Sequence, residues 1–215
     1  RMLEKSFPGH ALRIGSTTAD GKLALVQVWS ATSPGDYYLF DVPARKASHL
    51  LSRAEWFDPD AMAPVRFFTF AARDGLELEG LLTTPRTGDG KWPMVVMPHG
   101  GPFHVFDAWG FDTEAQMLAK AGYAVLQVNF RGSGNYGRRF QQLGGRQWGR
   151  TMQDDITDAT DWAVKQGHAD ALDPVSAGWK RGNRRPLALK PVERVVELRD
   201  VDAEGEPLFF TARCA

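Results

Sequence analysis

The chain has 215 residues, and its 26 lysines and arginines offset 26 aspartates and glutamates, so the formal net charge is zero. That length suffices for one sizeable domain, or one domain with an appendage, and the neutral balance argues against a nucleic-acid or membrane-surface partner. No apolar run approaches the roughly 20 residues of a membrane helix, and the lone cysteine, Cys214, excludes an internal disulfide and a cysteine-ligated metal.

Residues 1–60 read as β. Lys22 to Trp29 is a β-branched, partly alternating run, Ser33-Pro34-Gly35-Asp36 is a turn, and Tyr37 to Asp41 is a second strand. This is a hairpin of the kind found in repeated β architectures, but no second copy follows. A single blade of roughly 40–45 residues cannot close a propeller, which takes about four to eight.

Val65 to Phe70 is the next predicted strand, followed by the Asp74-Gly75 turn and by Leu76 to Leu82. The latter alternates apolar and acidic residues, as a strand near a sheet edge does. Pro85 to Trp92 reads as a loop. Met94 to Met97 is uninterrupted apolar, the pattern of a central strand covered on both faces. A helix is predicted from Asp112 to Gly122, with Asp112 as N-cap, Glu114 at the positive end of the dipole and Gly122 as the stop. Tyr123 to Phe130 is a further strand. Thr151 to Gln166 is a helix with Met152, Ile156, Ala159 and Ala163 on one face, and Thr151 with Asp154 resembles a capping box. Strands separated by helices imply a parallel α/β sheet. After about His168 the periodicity fades. Residues 177–186 are dense in arginine and glycine, and Leu187 to Val201 regains some strand character, with no next α/β repeat in view.

Chemistry concentrates at Pro98-His99-Gly100-Gly101-Pro102. A buried strand that ends on two glycines brings bare backbone N–H groups to the end of a sheet, which is the geometry of an oxyanion-binding loop. The same glycines also suit a plain strand-to-loop turn. His99 is expected to orient the loop by a hydrogen bond rather than act as a base. Arg131, just past a buried strand, is either a substrate-side cation or half of an ion pair with Asp154 or Asp155. Residues 132–137, Gly-Ser-Gly-Asn-Tyr-Gly, lack the lysine ending of a phosphate loop and read as a loop on the substrate side, with Tyr136 as a candidate contact. The acids Asp154, Asp155, Asp158 and Asp161 read as a solvated helix face, and neither a metal nor a cofactor is expected. Arg181, Arg184 and Arg185 read as a solvated tail, and nothing activates Cys214.

The order of motifs resembles the prolyl oligopeptidase family of serine peptidases, in particular its acylaminoacyl-peptidase and dipeptidyl-aminopeptidase members. The residues that carry the likeness are Tyr37 to Asp41, Ala72-Arg73-Asp74-Gly75, Pro98 to Pro102, Gly122 to Leu126, Asn129 to Gly137, Trp148-Gly149 and Asp154-Asp155, over about residues 20–167. The resemblance implies an N-terminal β-propeller capping an α/β-hydrolase domain, with proteolysis of short peptides through a Ser-Asp-His acyl-enzyme. On that reading residues 1–62 end a propeller, 63–168 begin the hydrolase, and 169–215 are a divergent tail.

The family continues into a Gly-x-Ser-x-Gly elbow and then an Asp and a His. Here Ser6, Ser16, Ser30, Ser33, Ser48, Ser52, Ser133 and Ser176 all lack that context, and no histidine follows His168. Ser176 stands in Pro174-Val175-Ser176-Ala177-Gly178, without the first glycine. The expectation is a chain interrupted before its nucleophile and inactive by itself. Two alternatives stay open: a non-catalytic pseudo-enzyme or interaction domain, and an esterase- or lipase-like hydrolase. The chain begins Arg1-Met2-Leu3, with no signal-peptide pattern and no initiating methionine, which leaves cytoplasm and periplasm both open.

Overall fold

A computed structural model describes residues 2–56, 58–88, 90–101, 103–176, 199–201 and 207–209. A short helix, α1 (Met2–Ser6), leads into four strands, β1 (Ala11–Thr17), β2 (Leu23–Trp29), β3 (Asp36–Asp41) and β4 (Lys46–Ser52). These pair antiparallel in sequence order, as one four-stranded sheet. Along β2 burial alternates strictly, so Ala24, Val26 and Val28 face inward and pack with Phe40. Leu3 and Phe7 of the N-terminal segment close over this small core, with Phe7 4.7 Å from the Tyr38 ring. The predicted hairpin is thus the centre of a blade-like sheet. Its flanking strands β1 and β4 are largely exposed and escape a reading that relies on alternation.

The second sheet contains β5 (Val65–Ala71), β6 (Glu77–Thr83), β7 (Trp92–Val96), β8 (Ala124–Asn129) and β9 (Ala169–Ser176), in the order β5-β6-β8-β7-β9. The first three pair antiparallel, whereas β7 runs parallel to both β8 and β9. The sheet is therefore mixed rather than wholly parallel. Every residue of β8 is buried, as its central place demands. In β7 Met94 and Val96 are buried while Val95 is half-buried, so one face is closed and the other only partly covered.

Helix α2 (Thr113–Lys120) starts where predicted. Asp112 accepts a hydrogen bond from the Ala115 N–H at 3.0 Å. It ends in a Schellman arrangement, with Gly122 N–H donating to Ala119 and Tyr123 N–H to Leu118, and Gly122 at φ +96°. A short helix, α3 (Gly137–Leu143), buries no residue and carries no apolar period. Helix α4 (Thr151–Lys165) buries Met152, Ala159 and Ala163 on the expected face, with Ile156 packed beside them. Its start corrects the capping-box expectation. Arg150 is the N-cap and gives no side-chain cap, and Thr151 is already inside the helix, where its hydroxyl donates to Gln147 Oε1 at 3.0 Å.

Two further expectations change. The chain after His168 does enter another repeat, because β9 pairs parallel to β7 and brings Ser176 level with Val96. Asp173-Pro174 breaks the apolar run there, so the strand is legible only from its neighbour. The strand-like stretch 187–201 lies outside the described residues except for β10 (Arg199–Val201), which pairs antiparallel with β11 (Pro207–Phe209). Arg181, Arg184, Arg185 and Cys214 also lie outside them. The fold is the first part of an α/β-hydrolase, preceded by a blade-like β-sheet. Among the described residues no helix is long and apolar enough to cross a membrane.

Candidate active site

Strand β7 ends at Val96, and the chain runs on through Met97 and Pro98 to His99 at one end of the sheet. Gly100 and Gly101 are exposed there, with Gly101 at φ +118°. A Cβ on Gly101 would sit 2.9 Å from Val105 Cγ2, so the turn needs glycine for its conformation and for its space. Pro102 lies outside the described residues.

His99 is held on three sides. Its Nδ1 is 2.9 Å from the Gly100 carbonyl oxygen, its Nε2 is 2.8 Å from Ser133 Oγ, and its ring stacks on Phe130 at 4.5 Å and 15°. Burial lowers its pKa, against an opposing pull from the Gly100 carbonyl. These contacts fix the position of the ring beside the turn. Ser133 is fully buried, with Oγ 2.6 Å from the Phe130 carbonyl oxygen.

Arg131 follows β8 by two residues and lies almost wholly buried. Its guanidinium donates to both oxygens of Asp155, from Nε at 2.8 Å and Nη2 at 2.6 Å, and its backbone N–H donates to Asp155 at 2.9 Å. Nη1 reaches Asp74 Oδ2 at 2.7 Å. Of the two acids named from sequence, Asp155 is the partner. Burial pushes the Asp155 carboxyl upward, and the hydrogen bonds from the Arg131 guanidinium and backbone pull against it. The Asp155 and Asp74 hydrogen bonds in turn hold the Arg131 pKa above its ordinary range.

The expectation of a solvated acidic face on α4 is corrected accordingly. Asp155 is completely buried, while Asp158 receives Arg73 at 2.6 Å and Asp154 at 3.3 Å. Asp154, Asp155 and Asp158 face the sheet and its β5–β6 turn, where Arg73 and Arg131 meet them, whereas Asp161 is exposed as expected. No cluster of three or more metal-ligating side chains occurs among the described residues.

Tyr136 is half-buried, and its hydroxyl donates to Glu79 Oε2 at 3.0 Å while accepting from Asn129 Nδ2 at 2.9 Å. Burial, and then Glu79, push the phenol up to about 12. The hydroxyl is thus committed to bridging β6 and β8.

Sequence reasoning missed a polar network behind the loop. The Asn129 side chain pins the Asp107 backbone in both directions, accepting from its N–H at 2.8 Å and donating to its carbonyl at 2.9 Å. Gln127 Nε2 donates to Asp107 Oδ1 at 3.4 Å and to Asp112 Oδ2 at 3.1 Å. Two amides in an otherwise apolar strand were the available signal, since buried polar groups seek partners. The carboxylates share one donor, and Asp107 Oδ2 is buried with no partner among the described residues. Burial, then the nearby Asp112 charge, raise the Asp107 pKa to about 7, against the Gln127 hydrogen bond.

This shift has a signed consequence. In the unfolded chain the carboxyl titrates near 3.8, so between that value and about 7 the folded state holds more protons than the unfolded one. Stability therefore falls as pH rises through that window, and the loss is complete above about 7. Denaturant unfolding from about pH 4.5 to 8 is expected to show this decline. Asp107→Asn, which keeps the acceptor for Gln127, is expected to flatten it, and an unchanged slope would refute the assignment.

A cavity of about 690 Å³ lies between the two sheets, lined by Arg13, Trp29 and Arg53 on one side and by Asp107, Trp109 and Asp112 on the other. Gln116 ties the same two parts together, donating to the Ala31 carbonyl at 3.1 Å and to the Ala63 carbonyl at 3.0 Å.

Residues 109–182 match the sequence profile of the prolyl oligopeptidase family, a match that runs through β9. Dipeptidyl aminopeptidase BIII of Pseudoxanthomonas mexicana is 38% identical over 173 residues, covering 77% of this chain and 25% of that protein. Among solved structures, an acylaminoacyl peptidase of Pyrococcus horikoshii superposes with a TM-score of 0.59 at 29% identity, covering 73% of this chain and 25% of its own. An acylaminoacyl peptidase in complex with Z-Gly-Gly-Phe-chloromethyl ketone gives 0.58 at 27% identity, covering 75% and 26%. The chain thus spans about a quarter of the length of these relatives.

Proposed function

The chain belongs to the prolyl oligopeptidase family of serine peptidases, and on that premise we propose that its His99-Gly100-Gly101 turn is the oxyanion side of a peptide-hydrolysing site. The observation that carries this is positional. The turn extends β7, with β8 and β9 as its parallel neighbours, so Gly101 lies at the end of the sheet where the ends of those strands converge. In acyl transfer a serine oxygen adds to the scissile carbonyl, and the charge on that oxygen is met by backbone N–H groups already aimed at it. A glycine at positive φ supplies such an N–H with no side chain in the way.

The substrate class is short peptides. One structural relative holds a Gly-Gly-Phe-based chloromethyl ketone, and the blade-like sheet over residues 11–52 stands beside the hydrolase strands, where it restricts access. That sheet also disfavours the plain esterase or lipase reading. We assign residues 1–62 to the end of a propeller and 63–168 to the start of the hydrolase, with β9 extending that part past its sequence-based limit.

In this site Arg131 and Tyr136 support the substrate loop from behind, because their polar atoms are already committed to Asp155, Asp74, Glu79 and Asn129. The nucleophile is not among these 215 residues: no serine has glycine both two before and two after it. The 215-residue chain alone therefore binds peptide without cleaving it. Titration with a short N-acetylated peptide, followed through backbone amide shifts, is expected to move Gly100 and Gly101 most. Shifts confined to other surfaces would overturn the assignment.

A further inference from the structure

We propose that the cavity between the two sheets is a binding site for a short peptide with both ends free, its carboxylate held by Arg13 and Arg53 and its ammonium group by Asp107 and Asp112. This site is separate from the His99-Gly100-Gly101 turn, since neither the turn nor residues 131–137 line it. It stands or falls independently of the oxyanion reading.

The two walls carry opposite charge, and neither is satisfied. Arg13 lies on β1 opposite Gln27 of β2, and Arg53 follows β4. Both are exposed, and among the described residues neither forms an ion pair. On the other wall Asp107 and Asp112 share the Gln127 amide, and Asp107 Oδ2 has no partner among the described residues. Guanidinium and carboxylate groups would neutralise each other in contact, but a space of about 690 Å³ keeps these apart. The charge that acts on the Asp107 carboxyl is Asp112, of its own sign, and neither arginine relieves it.

That separation selects the ligand. An anion alone would meet the acids, and a cation alone the arginines. A molecule with a carboxylate at one end and an ammonium group at the other satisfies both walls, with charge-assisted hydrogen bonds at each. The volume sets its length. A round space of this size is about 11 Å across, and an extended chain advances roughly 3.5 Å per residue, so two or three residues fit. The ligand is thus held by both ends, unlike a peptide laid across a scissile bond. The rest of the lining suits its side chains, since Trp29 and Trp109 are half-buried and Phe106 is exposed at the rim. Gly110 brings the loop backbone against the Trp29 indole, where an added Cβ would lie 3.7 Å away, so the two walls already touch beside the cavity.

Titration of the 15N-labelled 215-residue chain, read at the Trp29 and Trp109 indole N–H groups, tests this. The probes are alanylphenylalanine, its N-acetyl form and its C-terminal amide. At the indoles the free dipeptide is expected to bind about tenfold more tightly than either blocked form. Arg13→Gln combined with Arg53→Gln is expected to weaken the free dipeptide to the level of the amide and to leave the amide unchanged. Asp107→Asn is expected to weaken the free dipeptide and the amide and to leave the N-acetyl form unchanged. No binding of the free dipeptide at the indoles, or equal binding of the three forms, overturns the proposal. That comparison uses the wild-type chain, so it decides the matter if a variant does not fold. Wild-type affinity for the free dipeptide in the folded arginine double variant also overturns it. If an N-acetylated peptide moves Gly100 and Gly101 while the free dipeptide leaves the indoles unmoved, the cavity site falls and the oxyanion reading stays. The reverse pair of results removes the oxyanion reading and leaves the cavity site.

Discussion

Replacing Asp155 by alanine is expected to cost about 3–5 kcal/mol of stability, the range found when one partner of a buried ion pair is removed. Asp155 is fully buried and takes three hydrogen bonds from Arg131, two from the guanidinium and one from the backbone. Without it, Arg131 retains only Asp74 as an anionic partner among the described residues, at a site where its side chain is 8% exposed. The cost is less the loss of attraction than the cation left behind with its hydration already removed. Arg73 is the internal control. It makes similar contacts to Asp158 and Asp154, yet its side chain is 53% exposed. Arg73→Ala removes the exposed member of its pair and leaves Asp158 the hydrogen bond from the residue-73 backbone N–H at 2.8 Å, so it is expected to cost less, about 1 kcal/mol. Thermal and denaturant unfolding of the two variants check the contrast, and equal losses would refute the buried-pair account.

Gly80→Ala is expected to destabilise the chain by about 3 kcal/mol, at the upper end for overpacking. Gly80 sits in β6 opposite Val128 of β8 and Phe68 of β5. A Cβ there would overlap the Gln127 carbonyl oxygen on one strand and the Phe68 ring on the other. The carbonyl belongs to the β6–β8 ladder and cannot withdraw without breaking register. The ring is little freer, since it stacks on Trp162 of α4 at 4.4 Å and 15°. One methyl group therefore strains three strands and a helix together. A double variant, Gly80→Ala with Phe68→Leu, is expected to recover part of the loss by unfolding measurements. No recovery would mean that the carbonyl contact alone sets the cost.

Much of the scaffold was legible because its signals are local. The alternation in β2, the apolar run of β7, the Asp112 cap and the Gly122 stop each lie within a few residues. Exposed strands such as β1 and β4 carry weak alternation and exist because β2 and β3 offer them edges. Strand β9 is interrupted by Asp173-Pro174 and takes its place from β7. Within the site, His-Gly-Gly could be read directly, as a strand end with two glycines. The Ser133 contact to His99 spans 34 residues, and that of Asp155 to Arg131 spans 24. Such pairs are set by how strands and helices stack, and no spacing rule reveals them. The acidic series on α4 shows the limit well. Its periodicity placed four acids on a helix, but only the fold shows two arginines facing three of them, Asp154, Asp155 and Asp158.

The most direct test of the central claim is labelling of the 215-residue chain with a fluorophosphonate probe, followed by mapping of the modified residue. A chain that supplies the oxyanion side of the site without its nucleophile is predicted to show no stoichiometric serine adduct, with Ser133 spared beneath its buried contacts and Ser176 spared for want of an activating histidine. A stoichiometric adduct on any serine, above all on Ser176 at the end of β9, would contradict the account.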